Sequence, residues 1–520
     1  MSIRKFMILF FIFFVVPAFL PAQEQQREFS LEDCILTALK NNLGIKIEMI
    51  NPELASISVD QAQEKFIPSL SFGFSRRNTE SASYSFLDSA NVVSQLNSNY
   101  DFTIQQQLPT GGSLSAQMNS YKFDTNRNFQ TINPRYGTEL RLNFQQPLLQ
   151  NFGLTMGRRE ILIASNSMAA SEEEFKKAVQ DLIYQVENAY WNLIYYIQDL
   201  EVRRQSLTQA QQLLEKNRRA VEVGTMAPME VINAQTSVAQ READILAAET
   251  QVKDQEDRLK TLLNLRAESL QPESLHLIPS DAPEYEKTEI SLEEALGMAM
   301  DKRPDLKASQ ISLKNTELDF SYAKNQMLPD LSLSAQYWSP GVSGDQLIYK
   351  DNNPLTGVVV DRIPGGFSDS LEDAFGFKYR NWSVGLTLDL PLNDIFSRAQ
   401  LAQARVNLDR ARMLIENQQQ QLFQDIKIAV RNVESNFKRI HAYQTAREYA
   451  EKQLAAEEEK LKVGLSTNFL VLQYQTDLAN ARSSEMRAII DYKLSLAQLY
   501  RDIGTNMEEH AISINQVYGK

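Results

Sequence analysis

The segment EVGTMAPMEVINAQTSVAQ, from Glu222 to Gln240, places a Val-Gly pair between two long polar stretches with helical spacing. A similar segment, KVGLSTNFLVLQYQTDLAN, runs from Lys462 to Asn480. Glycine adopts the positive φ that a tight reversal requires, so each Val-Gly pair predicts the turn of an antiparallel helical hairpin. We therefore expect two helical hairpins whose turns lie at one end.

Apolar residues recur at seven-residue steps before both turns and, in the first copy, after the turn as well. In the first copy they are Val179, Val186, Leu193, Leu200, Leu207, Leu214 and Val221, and then Val231, Val238, Ile245, Val252 and Leu259. In the second copy, before its turn, they are Leu408, Ile415, Leu422 and Ala429, after which the register shifts to Ile426, Val433 and Ile440. A sustained heptad pattern predicts left-handed coiled-coil packing. The polar residues between them are interpreted as solvated helix surface.

The hairpins belong to a longer duplication. FSLEDCILTALKNN at Phe29 matches ISLEEALGMAMDKR at Ile290, and IPSLSFGFS at Ile67 matches LPDLSLSAQ at Leu328. The predicted organisation is a signal peptide (1–22), a first repeat (23–280) and a second repeat (281–520). Each repeat is expected to contain short helices, strands (about 68–146 and 329–390) and a helical hairpin (147–268 and 391–504), with a short tail after the second.

The N-terminus has the pattern of a secretory signal peptide. Arg4 and Lys5 precede an apolar run of about 11 residues, shorter than the roughly 20 of a membrane-spanning helix, and small residues end at Ala22. Gln23 rather than cysteine follows, so no lipid anchor is expected. Removal of Arg4 and Lys5 would change the formal net charge from -13 to -15, which argues against nucleic acid as a partner.

Residues with catalytic chemistry are few. The single cysteine, Cys34, excludes an internal disulfide and lies on the apolar side of LEDCILTAL, which favours a buried core residue over a reactive thiol. The three histidines, His276, His441 and His510, are widely separated, and the sequence contains no Gly-rich phosphate loop, cysteine pair or His-rich metal motif. We expect no enzyme activity, metal site or cofactor.

Local signals define the short helices and the strands. Ser30 and Ser291, each followed three residues later by Asp33 or Glu294, predict helix N-termini with capping boxes. Period-two alternation predicts strands with one apolar face, which in the last strand consists of Trp382, Val384, Leu386, Leu388 and Leu390. A strand of about ten residues suits a tilted crossing of a bilayer, so this face is expected to contact lipid.

Three further segments carry specific expectations. Pro147 and Pro391 are placed in the first turns of the long helices, where proline costs no hydrogen bond. The stretch from Tyr100 to Tyr121 predicts an additional β-hairpin, which either joins the sheet or forms an extracellular flap. We expect about four strands per chain with this hairpin as an accessory. Residues 339–380 are rich in Gly, Pro and Asp and are interpreted as a surface loop.

Four strands cannot close a barrel alone, and an open sheet cannot lie in lipid with unpaired edges. Three copies would supply about twelve strands and a ring of helices below them. A structural coiled-coil protein of the cell envelope is the alternative. It explains the export signal and the heptads, but neither the amphipathic strands nor the duplication.

The duplicated order, the QQPLL segment around Pro147 and the turns VGTMAPMEVINAQ and VGLSTNFLVLQYQ resemble the TolC-like outer membrane efflux protein family. This resemblance implies a duplicated α+β membrane fold: a trimeric outer-membrane β-barrel continuous with a long periplasmic α-helical coiled-coil barrel. It further implies a homotrimeric channel-tunnel of a tripartite efflux or type I secretion system. The partners would be a periplasmic adaptor (membrane fusion protein) and an inner-membrane pump of the RND or ABC type.

The resemblance also assigns roles to residues of the two hairpin turns. The residues expected to dock the adaptor are Val223, Gly224, Thr225, Val463, Gly464, Leu465 and Ser466. The residues expected at the periplasmic constriction are Glu230, Asn233, Leu470 and Gln473. Because Leu470 and Gln473 are uncharged, an acidic ring could come only from Glu230, which either faces the pore or solvates its helix.

Overall fold

The computed structural model describes residues 25–85, 88, 90–265, 275–390 and 395–513. The predicted signal peptide (1–22) and Pro391 lie outside these residues. The helices are α1 (Leu31–Asn41), α2 (Leu43–Glu64), α3 (Leu154–Gly157), α4 (Arg159–Glu222), α5 (Pro228–Leu263), α6 (Leu292–Lys302), α7 (Pro304–Asn325), α8 (Phe367–Phe375), α9 (Ile395–Lys462), α10 (Asn468–Ile503) and α11 (Asn506–Glu509). The strands are β1 (Gln25–Phe29), β2 (Ser69–Ala82), β3 (Val92–Gln107), β4 (Ser113–Thr125), β5 (Ile132–Pro147), β6 (Leu275–Pro279), β7 (Asp330–Tyr349), β8 (Val359–Ile363) and β9 (Asn381–Asp389).

The chain forms two compact units. Of the described residues, those within Glu48–Lys177 and Arg303–Leu422 form the sheet unit, and those within Met1–Ile47, Ala178–Lys302 and Phe423–Lys520 form the hairpin unit. Each unit combines parts of both predicted repeats, because α4 and α9 each contribute to both units. The boundaries of the repeats stay a prediction.

The sheet unit contains one antiparallel sheet in the order β2-β3-β4-β5-β7, in which β9 pairs with the first half of β7 and β8 with its end. Backbone pairing aligns Phe72 with Phe102, and Met118 with Leu140, so apolar side chains of neighbouring strands share one face. Four of the five predicted apolar residues, Trp382, Val384, Leu386 and Leu388, lie in β9 and on this face, since Leu386 pairs with Leu333, whereas Leu390 follows the end of the strand. Leu386 is 67% exposed in the single chain.

The expected strand number is wrong, although the α+β fold class is confirmed. The segment predicted as an accessory hairpin forms β3 and β4, which pair along their lengths with β2 and β5 and so lie within the sheet. The described residues therefore contain a seven-stranded sheet rather than about four strands. The extra hairpin can join because its residues alternate with the same period as its neighbours.

The interpretation of residues 339–380 as a surface loop is also wrong. The strand β7 continues to Tyr349, and β8 and α8 follow. The glycines favoured a loop interpretation, but Gly341 pairs with Thr138 of β5 and lies beneath α8. An added Cβ at Gly341 would lie 2.1 Å from the backbone oxygen of Ser370, so this glycine permits a close approach between helix and sheet.

Pro147 does not lie in the first turn of a helix. It is the last residue of β5 and pairs with Ser332 of β7, and the next amide, of Leu148, donates to the carbonyl oxygen of Leu331 over 2.7 Å. Proline is tolerated at the end of a strand because the ladder needs no further amide from it. The chain then turns through Gly153, with φ of 99°, before α4 begins at Arg159.

The hairpin unit is held by the predicted heptad residues. Val179, Val186 and Leu193 of α4 are buried, as are Ile426 and Ile440 of α9. A second apolar cluster joins all four hairpin helices, with members including Ala210, Leu454, Val471, Leu472 and the partly buried Val238. The heptad pattern therefore identified the packed face around Val186 and Leu193, but of this second cluster it included only Val238.

Both predicted capping boxes of the hairpin unit are present. The Ser30 hydroxyl accepts from the amide of Asp33, and the Ser291 hydroxyl accepts from the amide of Glu294. Cys34 is fully buried, and this burial raises the pKa of its thiol to about 12. Because a thiol of such high pKa forms little thiolate at neutral pH, the interpretation as a core residue is confirmed.

Candidate functional site

The two predicted turns have the same backbone geometry. Gly224 and Gly464 both have φ of 78°. The first helix of each hairpin ends in the same way, because the amide three residues beyond its end donates back into its last turn: Leu465 to the carbonyl oxygen of Lys460 over 2.9 Å and Thr225 to that of Ala220 over 2.8 Å. No heavy atom would lie within 4 Å of an added Cβ at either glycine, so the positive φ alone requires glycine.

The turns present apolar side chains to solvent. Val223, Val463 and Leu465 are 74%, 70% and 79% exposed. Thr225 and Ser466 are held instead by local hydrogen bonds: the Thr225 hydroxyl donates to the Ala220 carbonyl over 2.9 Å, and the Ser466 hydroxyl donates to Oε1 of Glu457 over 2.6 Å. The bond from Ser466, with help from Lys460, lowers the pKa of Glu457. Each tip is thus a fixed turn with an exposed apolar edge.

The two turns lie side by side. Nδ2 of Asn468, at the start of α10, lies 3.3 Å from the sulfur of Met226 in the first turn. Asn468 is buried, although it lies only four residues beyond Gly464. The structure therefore brings both tips to the same end of the hairpin unit, as the repeated sequence predicted.

The four predicted constriction residues do not all meet. Asn233 of α5 and Gln473 of α10 line one groove of about 550 Å³ between these helices and α4. Glu230 and Leu470 are partly buried and do not line this groove. One oxygen of Glu230, Oε2, is buried without a hydrogen-bond partner.

Charged residues that the sequence analysis missed also line this groove. They are Asp199, Arg203, Arg241, Asp244 and Asp477. Asp199 accepts from Nε of Arg203 over 2.7 Å and from the hydroxyl of Ser483. An acidic residue of α10, Asp477, therefore lies in the same groove as Gln473. It is four residues further from the turn than Gln473, the last residue that the sequence analysis assigned to the constriction.

Arg241 joins three helices at the wall of this groove. Its side chain is only 7% exposed, and its guanidinium donates to the carbonyl oxygens of Ser206 in α4 and Leu472 in α10. It also donates to the side chains of Gln475 and Thr476. Burial lowers the pKa of Arg241. One feature of the sequence could have indicated that Arg241 is buried. It lies three residues after the heptad residue Val238, so its side chain is on the packed face of the helix.

We expect Arg241→Met to destabilise the hairpin unit. Methionine retains the apolar stem but removes hydrogen bonds to a charged donor, so the free energy of unfolding should fall by about 2 kcal/mol. Heating of the purified protein, followed by circular dichroism of its helices, measures the change. Arg258→Met, at an exposed position of the same helix, is the control. An equal melting temperature for both variants would contradict the structural role of Arg241.

Among the residues that the structure describes, no group of three or more His, Cys, Asp or Glu side chains is arranged to hold a metal ion. None of the helices in this part of the chain is both long and apolar enough to cross a membrane.

A family model described as outer membrane efflux protein matches residues 111–265 and 295–505, more than half of the chain. The chain belongs to the outer membrane efflux protein family. Its location is therefore the outer membrane, with the helical hairpins in the periplasm, and the efflux-protein match includes both hairpin turns. The family's members are channels rather than enzymes.

Individual relatives of this efflux protein are distant. It is 23% identical over 380 residues to the outer membrane protein TolC of Vibrio cholerae serotype O1, covering 72% of this chain and 78% of that protein. The solved outer-membrane channel OprN has a TM-score of 0.64 at 16% identity, with 92% and 90% of the two chains covered. The outer membrane protein VceC of Vibrio cholerae has a TM-score of 0.60 at 18% identity, with 91% and 96% covered. These structures support the fold.

Proposed function

We propose that three copies of this chain form a channel-tunnel that passes substrates from an inner-membrane pump and a periplasmic adaptor to the exterior. The observation that carries the proposal is the pair of glycine turns, adjacent in space and edged by exposed Val223, Val463 and Leu465. Exposed apolar side chains on a fixed turn fit a protein partner better than solvent. The adaptor is the partner that membership of this family favours.

The trimer is proposed from the edges of the sheet. Along the first half of β7, six strands lie side by side, and among the residues that the structure describes β2 and β9 each have one unpaired edge. Unpaired edges are costly in lipid, so β9 of one copy would pair with β2 of the next. Three copies of six strands would give a barrel of about eighteen strands rather than about twelve.

Conductance tests the channel directly. Purified trimers added to a planar lipid bilayer should produce stepwise increases in current, because an open tunnel admits ions along its length. The alternative structural role would give trimers without any conductance. The pump type, RND or ABC, and the choice between efflux and type I secretion require reconstitution with the adaptor.

The same bilayers test the proposed role of Glu230 at the constriction. Three copies of this carboxylate around a narrow axis would favour cations, because negative charge acts strongly in a low-dielectric neck. Glu230→Gln should therefore reduce cation selectivity, measured as the reversal potential under a salt gradient. Glu242→Gln removes the same charge from an exposed position of α5 and is the control. If both variants kept the wild-type reversal potential, Glu230 would face outward.

A further inference from the structure

A short helix lies on the apolar face of the sheet. Ser370 and Ala374 of α8 are fully buried. The Ser370 hydroxyl lies 3.0 Å from Oγ1 of Thr138 in β5, which lies 3.0 Å from the hydroxyl of Ser120 in β4. Thr138 is two residues from Leu140 along the strand, so both side chains are on the same, apolar face.

The sheet provides a groove for this helix. Ser120, Thr138 and Gly341 pair with one another across β4, β5 and β7 and form a row of small residues. The next row of paired residues, on the side towards α7, includes the larger side chains of Met118 and Leu140. A helix can approach the sheet closely only above small side chains, which is consistent with the lack of space for a Cβ at Gly341.

The helix crosses the strands rather than following them. The ring centroid of Phe367, at its start, lies 6.5 Å from that of Tyr100 in β3, and the ring of Phe377, just after its end, lies 5.7 Å from that of Tyr337 in β7. Strands about 4.8 Å apart put β3 and β7 about 14 Å from each other, close to the length of a nine-residue helix.

The two flanks of α8 differ in polarity. At about 100° per residue, Phe367, Leu371 and Phe375 share one flank, and Asp369 and Asp373 share the other. The acidic flank faces the loop end of the sheet, because the hydroxyl of Ser343, two residues beyond Gly341, donates to Oδ2 of Asp369 over 3.3 Å. The apolar flank therefore faces back towards the apolar rows of the sheet.

We propose that α8 is an interfacial helix that contacts lipid at the outer boundary of the membrane, with Phe367, Leu371 and Phe375 against acyl chains and its carboxylates in water. Phe375 is 52% exposed, and its flank continues the apolar face that includes Leu386. Amphipathic helices with aromatic residues on one flank lie in the membrane interface in this way.

The occupant of this surface is lipid rather than a second copy of the chain. The helix lies above β4, β5 and β7, in the interior of the sheet, whereas neighbouring copies would pair at β2 and β9. The proposal rests on the placement of the sheet in the outer membrane.

Spin labels at single cysteines test it. Cys34 is the only cysteine in the sequence and is buried, so Cys34→Ala gives a background without reactive thiols. Phe375→Cys and Glu372→Cys are labelled with a nitroxide in full-length trimers reconstituted in phosphatidylcholine vesicles. Accessibility to oxygen, which concentrates in lipid, is compared with accessibility to a water-soluble nickel chelate. Oxygen should dominate at Phe375→Cys and the chelate at Glu372→Cys.

A third label, at Leu386→Cys, separates failure of this inference from failure of the membrane placement. If the label at Leu386→Cys were in lipid while that at Phe375→Cys were in water, the lipid contact of α8 would be refuted and the placement of the sheet in the membrane would be supported. If both labels were in water, both proposals would be refuted. Spin-spin broadening at Phe375→Cys would show contact between copies and overturn the lipid assignment. Should Phe375→Cys not assemble, Phe367→Cys on the same flank gives the same readout.

Discussion

Replacing Gly224 and Gly464 together with valine is expected to abolish export while leaving a folded trimer. Both glycines have φ of 78°, a conformation in which a β-branched residue is an outlier. Each strained residue costs about 1 to 2 kcal/mol, so the turns would rearrange rather than keep their present geometry. The stable packing of the hairpins lies elsewhere, around Leu454 and Val471.

The measurement is growth of cells that depend on this channel, in the presence of a compound that the intact system exports. The matched control replaces both glycines with asparagine, which tolerates positive φ and should keep the turns. Trimer formation is followed for both variants by gel migration before and after heating. Unchanged resistance in a trimeric valine variant would refute the assignment of these tips to adaptor docking.

Arginine at Leu386 is expected to destabilise the protein in lipid by about 2 to 4 kcal/mol if this residue lies near the membrane midplane. Leu386 pairs with Leu333 on the apolar face, whereas its neighbour Thr387 pairs with Ser332 on the opposite face. Thr387→Arg should therefore be tolerated, because this side chain points into the lumen of the proposed barrel.

Refolding into lipid vesicles at increasing denaturant concentration measures both variants. The pair Leu386→Arg and Thr387→Arg has the same added charge at adjacent positions of β9, so a difference between them reports the direction of the side chain alone. Equal stability of the two variants would contradict the proposed orientation of the sheet in the membrane.

The parts of the fold that were predictable from the sequence depend on local or periodic signals. The seven-residue repeat that includes Val186 and Leu193 identified a buried face, and the serines at Ser30 and Ser291 identified two capped helices. The glycine turns were predictable because positive φ is a property of single residues. Each of these signals acts within about one or two helical turns.

The features that were missed depend on partners distant in the sequence. From the sequence alone Arg241 resembles a polar surface residue. Only the folded chain shows that the carbonyl oxygens of Ser206 and Leu472 accept its hydrogen bonds. Gly341 was interpreted as a loop residue because nothing near it in the sequence explains the glycine. The helix that covers it begins 26 residues later, at Phe367. Asn233 and Gln473 were predicted at the periplasmic constriction, which stays a prediction. The groove that they share in the structure also has residues of α4 in its wall, so the repeated turn segments alone could not predict it.

The inserted hairpin of β3 and β4 changes how an exported molecule would be sorted by size. Barrel diameter grows roughly in proportion to strand number, so about eighteen strands would make an exit about one and a half times as wide as twelve would, with about twice the cross-sectional area. With so wide an exit, the constriction proposed near Glu230 would be the place where cargo is selected by size. Mutations that select for larger cargo should accordingly arise in α5 and α10, near the tips, and not among the lumen-facing residues of the strands.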